Sequence, residues 1–315
     1  MSVRAPVKKA VLVGVCSQVA KDLKKLPGAL EDVKKLGNLL IDTYQYTKDD
    51  ITIVVNTEVK EGLPDSHGLP TNLPLKLPTE DDILEAMTTL VANAKCGDHI
   101  FFGFAGHGAQ ADAKTDKNEI DGKDEGLLAS DSRDSDSGTC PSYSHFIRDD
   151  KIREIFVDKL QEGVHCTVRQ LLFDCCHSGT ACDLPEVQLP SIDSANGEVS
   201  GAGEDKGSPP TKPGAPGFSL AETVNHGHAA SHRESASNDQ VSTKDVAFVE
   251  ILKGTPPKEI KHKDLLLELR RKLEEVTEAA NKRNASSKNW TPCKAPEPQL
   301  GSLTPGSILG KDFTL

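Results

Sequence analysis

Two short stretches carry residues able to do covalent chemistry. Residues 104–108 read FAGHG and hold His107 between two glycines, and residues 171–179 read LLFDCCHSG and hold the adjacent thiols Cys175 and Cys176. A thiol that attacks a carbonyl must first lose its proton to a nearby base. That base must later return a proton to the leaving group, and backbone N–H groups must receive the developing oxyanion. A free cysteine titrates near ~8.5, and a neighbouring imidazolium draws that value down. Gly106 and Gly108 let a substrate backbone approach His107, and Gly179 permits a tight turn after the thiols. Each stretch alone is weak, because a lone Cys at a strand end is more often a small core residue. The two together are far more specific, although adjacency leaves Cys175 and Cys176 equally eligible.

The elements that must position them follow from hydrophobic patterning. Residues 10–15 (AVLVGV), 51–56 (ITIVVN), 99–104 (HIFFGF) and 168–173 are apolar runs of the kind that form strands buried on both faces. Between them, Leu30, Val33, Leu36, Leu39 and Leu40 recur at helical spacing in 29–43, and Thr79-Glu-Asp-Asp82 is a capping box ahead of a helix over 83–94. A further helix is expected over 149–160. Strands alternating with helices predict an α/β domain with a mostly parallel sheet covered by helices on both faces. Working groups in such sheets gather at the carboxyl ends of the strands. His107 and the Cys175-Cys176 pair both fall there, after consecutive strands.

The intervening 109–145 reads mainly as acidic, Gly-containing loop. Residues 189–244 are rich in Gly, Ser, Pro and Asp, too poor in bulky apolar groups to offset their ordering entropy, and read as a mobile linker. Order resumes over 245–252, a long amphipathic helix follows over 263–280, and a last strand is expected near Phe313. The chain is thus divided into a catalytic region (1–188), the linker (189–244) and a region completing the same domain (245–315).

Composition narrows the partners. The 315 residues carry a formal net charge of −11, with carboxylates concentrated in 112–136. Nucleic acid is excluded as the main partner, since binding phosphate requires a basic face. A divalent cation or a basic peptide suits this charge. No apolar run approaches the ~20 residues a membrane span needs, and the short basic start is no signal peptide, so the expected setting is cytoplasmic. The eight cysteines include no CxxC pair, which leaves reactive or buried thiols rather than a zinc site.

GHG followed by DCCHSG, with Asp183-Leu-Pro185 beyond it, resembles the metacaspases. The resemblance covers about 10–190 well, and 245–315 more weakly. It implies a caspase-haemoglobinase fold, with the large subunit followed by a short linker and the small subunit and with no prodomain. It also implies a cysteine endopeptidase with Cys176 as nucleophile, His107 as its partner and Gly108 contributing to the oxyanion site. Metacaspases cleave after Arg or Lys, and their acidic pocket maps to Asp32 and Asp174. Their activating calcium site maps to Asp124, Asp149, Asp150 and Asp183, with Asp121 and Glu125 as extra candidates. Self-processing of a zymogen in the linker, after Lys206, Lys212, Arg233 or Lys244, follows from the same specificity, and the resemblance also implies a monomeric state and a link to programmed cell death. Where the family commonly has Ser two residues before the histidine, this chain has Ala105. The competing readings are a catalytically idle caspase-like scaffold and a calcium-binding interaction protein.

Overall fold

The computed structural model describes residues 4–56, 77–92, 94–95, 97–112, 123–134, 143–158, 168–176, 220–226, 243–253, 259–286, 292, 294–295, 298–302 and 309–315. At its centre is a six-stranded sheet in the order β2-β1-β3-β7-β8-β9. Its strands are β1 (Lys8–Val15), β2 (Ile51–Asn56), β3 (His99–Ala105), β7 (Val168–Cys176), β8 (Leu220–His226) and β9 (Pro298–Ser302). All neighbouring pairs are parallel except β8 and β9. As expected, the apolar runs bury both faces. Ala10 and Leu12 of β1 join one core cluster, while Val11, Val13 and Val15 join another on the opposite face.

The first cluster is completed by α1 (Gly28–Asp42), α4 (Thr243–Lys253) and α5 (His262–Asn284). The second is completed by α2 (Glu80–Ala92), α3 (Asp149–Arg153) and a π-helical turn, Glu154–Asp158. Helices therefore cover both faces. In α2 the expected cap is present: Asp82 N–H donates to Thr79 Oγ1 at 3.2 Å, and that hydroxyl donates to the Asp82 carboxylate at 2.6 Å. Close packing of α1 on β1 depends on Gly14, where a Cβ would lie 3.0 Å from Val33 Cγ2 and 3.1 Å from the Ala29 carbonyl. This contact holds the first turns of α1, including Asp32, near the carboxyl end of the sheet.

Five expectations are corrected. The stretch 109–145 contains a three-stranded antiparallel sheet of β4 (Gly108–Asp112), β5 (Lys123–Asp134) and β6 (Tyr143–Arg148). Its sequence is mostly polar, yet Ala109, Ala111, Leu127, Leu128, Ala129 and Ile147 are buried, and Leu127, Ala129 and Ile147 join the second core cluster. A Cβ at Gly126 would lie 2.2 Å from the Ile147 carbonyl, so glycine there allows β6 to close on β5. The helix expected over 149–160 is α3 followed by the π turn, which keeps Ile155 and Phe156 in the core. The strand at 168–173 continues through Cys176, because its partner β8 runs on to His226 beside it, past the end of β3 at Ala105. Within 189–244, Leu220–His226 forms β8, whose outer neighbour β9 supplies a second ladder; the rest of that stretch up to 242 lies outside the described residues. The last strand is β9 rather than a strand at Phe313. Phe313 is wholly buried, and next to it the tail pairs with 260–262 through one isolated antiparallel bridge, Lys261–Asp312, with Phe313 N–H bonded to the Ile260 carbonyl at 2.8 Å.

Candidate active site

The parallel pairing of β3 with β7 sets Ala105 directly opposite Asp174, and Gly106 N–H donates to the Asp174 carbonyl at 3.2 Å. His107 leaves β3 one residue later, and Cys176 ends β7 two residues later, at the same edge of the sheet. Gly108 opens β4 opposite Leu127. The side chain of Cys176 lies outside the described residues.

His107 Nε2 is 2.8 Å from the carbonyl oxygen of Lys24, in the segment between β1 and α1. A carbonyl only accepts, so Nε2 carries the proton and Nδ1 keeps its lone pair. The histidine's own carbonyl accepts from Leu128 N–H at 3.0 Å. Burial pulls the imidazole below its ordinary pKa, while the Lys24 carbonyl and the charge of Asp22 act in the opposite direction. The ring is therefore predominantly neutral near pH 7.

Two other thiols are near this edge. Cys175 is 2% exposed and packed in the core beneath α2 and α3, shielded from any substrate. Cys16 follows β1; burial above all, with the charge of Asp32 adding to it, pushes its thiol up to about 11. Neither is suited to form a thiolate that meets a peptide.

Asp32 of α1 is fully buried, and among the described residues neither of its carboxylate oxygens has a hydrogen-bond partner. Asp174, also buried, is close enough for the two charges to repel. Burial first, and the Asp174 charge second, raise Asp32 from an ordinary 3.8 to about 8. The folded protein therefore holds a proton here that the unfolded chain releases, and stability falls as pH rises from about 4 to about 8. Asp32→Asn is expected to melt above wild type at pH 8–9, with the difference vanishing toward pH 4. Thermal melts across that range check it; a variant less stable than wild type at pH 9 contradicts it.

A third group forms where β5 meets α3. Asp124, Asp149 and Asp150 place one carboxylate oxygen each within 4.8 Å of one another; Asp124 and Asp149 are buried, and Asp150 is exposed. Asp149 accepts the Glu125 N–H at 2.8 Å and the Asp150 N–H at 2.9 Å, and Arg148 forms an ion pair with Asp124. Hard carboxylate oxygens converging from two segments fit a calcium ion. Glu125 is not part of this cluster among the described residues; its carboxylate accepts from Gln110 Nε2 at 3.1 Å. Asp121 and Asp183 lie outside the described residues.

The metacaspase, peptidase C14 domain family model matches residues 8–185, more than half of the chain. The chain belongs to the metacaspase family. Every site residue named above lies inside the matched stretch. Metacaspase-1 of Sclerotinia sclerotiorum is 34% identical over 180 residues, 57% of this chain and 35% of that protein. Metacaspase-1 of Schizosaccharomyces pombe is 33% identical over 178 residues, 56% and 35% of the two chains. The chain thus matches about a third of the length of these curated relatives. Caspase-1 from Spodoptera frugiperda shares the fold, with a TM-score of 0.54 at 12% identity over 98% of this chain and 89% of its own. A protein from Geobacter sulfurreducens does so too, with a TM-score of 0.53 at 14% identity over 98% and 99%.

This metacaspase departs from the family pattern at Ala105, which is buried across the ladder from Asp174 and offers the acidic pair no hydroxyl. Two contributors had no signal in the sequence. The Lys24 carbonyl is a backbone group of an irregular segment, invisible to any reading of side chains. Arg148, the counter-ion of Asp124, sits at the end of β6, between the stretch 109–145 that read mostly as loop and the helix expected from 149.

Proposed function

We propose that this chain is a calcium-activated cysteine endopeptidase that cleaves after Arg or Lys, using Cys176 and His107. The observation that carries the reading is the register of β3 against β7, which sends both residues out at one sheet edge next to Asp174. His107, held by Lys24 through Nε2–H, receives the Cys176 proton on Nδ1. The thiolate attacks the scissile carbonyl, and the Gly108 N–H stabilises the oxyanion. The imidazolium then protonates the leaving amine, and water hydrolyses the thioester.

Asp32 and Asp174 form the floor of the pocket for the basic side chain. A guanidinium fork matches carboxylate geometry, and its charge turns their mutual repulsion into attraction. Without a ligand, one proton has to serve in its place. Among the described residues no helix is long and apolar enough to cross a membrane. The enzyme acts on basic protein substrates as a monomer.

Asp124, Asp149 and Asp150, with Asp183, would hold a calcium ion, which would supply positive charge to offset the repulsion of these carboxylates. Calorimetry is expected to show calcium binding to wild type, weakened about tenfold or more in Asp149→Ala because a buried oxygen donor is lost. Cleavage of an arginine-ended fluorogenic peptide should need calcium and stop in chelator. Full activity in excess chelator, or binding indifferent to substitution of all four aspartates, removes calcium from the proposal.

Self-processing belongs to the same reading. Lys206, Lys212 and Arg233 lie outside the described residues, whereas Lys244 falls in the first turn of α4. A helical peptide bond must unwind before a protease can accept it, so the Cys176-dependent cut is expected after one of the first three. Mapping new N-termini after incubation with calcium checks this; cleavage after Lys244 alone, or none, contradicts it.

A further inference from the structure

The segment between β1 and α1 has no regular structure, yet it is fastened to the second sheet at successive residues. Val19 N–H donates to the Ser130 carbonyl at 3.0 Å, and Ala20 N–H to the Ser132 carbonyl at 2.8 Å. Lys21 N–H donates to the Asp134 carboxylate at 3.3 Å, and the Tyr143 hydroxyl donates to Asp22 Oδ2 at 2.7 Å. Two residues further on, the Lys24 carbonyl meets His107 Nε2, and Leu26 N–H turns back to the Cys16 carbonyl at 2.7 Å. The far half of β5, beyond the end of β4, thus takes this segment as its neighbour. The grip ends at Asp22, two residues before Lys24, whose carbonyl orients the histidine.

We infer that Tyr143 and Asp22 are positioning residues for His107, acting through the strap 17–24 that delivers the Lys24 carbonyl to its Nε2. The inference rests on the reading of His107 as the base of the dyad. Tyr143 on β6 fixes the Asp22 carboxylate in place, and the fixed strap leaves the next carbonyl one direction in which to point. The Asp22 carboxylate also faces the imidazole and favours its protonated form. Around Asp22 itself, opposed by burial, the Tyr143 hydroxyl and Asp134 keep it ionised below the usual carboxylate range. Tyr143 of β6 and Asp134 of β5 are thus the groups that set the charge His107 experiences from this side. Tyr143 and Asp22 act through the Lys24 carbonyl, so their effect is on the histidine's tautomer and orientation. A base held in the wrong direction costs rate rather than binding.

The test reads His107 directly, by side-chain 15N spectroscopy on the full chain titrated with pH, in wild type, Tyr143→Phe and Asp22→Asn. Wild type is expected to show the Nε2–H tautomer. Tyr143→Phe, which keeps the ring, should show mixed tautomers, and Asp22→Asn should titrate at lower pH. Cleavage of an arginine-ended peptide measured in parallel should show kcat down about tenfold in Tyr143→Phe with KM within about twofold. In Asp22→Asn the upper limb of the pH profile should move to lower pH. If tautomer and titration are the same in all three proteins, the inference is overturned. If they shift as described while wild type cleaves no peptide, the strap stands and the peptidase reading falls.

Discussion

Cys176→Ala and His107→Ala are each expected to lower peptide turnover by roughly 10⁴-fold, and the double variant little further, because residues acting as one unit are grossly non-additive. Without the imidazole, the thiol keeps its proton near neutral pH; without the thiol, the imidazole has nothing to activate. Cys175→Ala provides the contrast. Its side chain is packed among Phe173, Phe104 and the other residues beneath α2 and α3, so its loss should cost stability and leave kcat near wild type. Peptide cleavage by the purified variants, each checked for folding by circular dichroism, decides the matter. Substantial activity in Cys176→Ala would move the nucleophile elsewhere.

Replacing Asp174 by Asn should lower kcat/KM for arginine-ended peptides by about 10²-fold, equivalent to the roughly 3 kcal/mol associated with losing one partner of a buried charge pair. The variant is isosteric, so shape is retained and charge alone is lost. Asp32→Asn should act in the same direction, since among the described residues its carboxylate has no hydrogen-bond partner of its own to sacrifice. Both variants relieve the repulsion of the empty pocket and should therefore be no less stable than wild type at pH 8. Activity that falls while stability holds is the pattern of a site strained for function. Cleavage rates on Arg, Lys and Asp peptides, measured beside thermal melts, check both halves. Unchanged arginine cleavage in either variant would remove that residue from the pocket.

Much of this arrangement was legible in the sequence because burial on both faces leaves continuous apolar runs. The first three strands of the sheet, α1 and α2 stand close to where periodicity placed them, and with them the edge from which His107 and Cys176 emerge. Asp32 was also legible, but only through resemblance: on its own it reads as one more charge on an amphipathic helix. Its burial is a tertiary property, arising because Gly14 lets α1 settle onto β1. The second sheet was hidden because a strand such as β5, KDEGLLASDSRD, buries only the short apolar stretch Leu127–Ala129 among charged and small polar residues, too little to show a strand period. β8 was hidden for a related reason, lying inside a stretch whose overall composition argues against order. The choice between Cys175 and Cys176 depends on which of two neighbours faces a core, and no local pattern encodes that.

The central claim is that Cys176 becomes a nucleophile beside a pocket for a basic side chain. The most direct measurement is covalent labelling with an arginyl chloromethyl ketone peptide in calcium, with the adduct located by peptide mass spectrometry. The account predicts one adduct, on Cys176, lost in His107→Ala and strongly slowed in Asp174→Asn. Labelling of Cys175 or Cys16 instead, or preferential labelling by the matching aspartyl reagent, would contradict it.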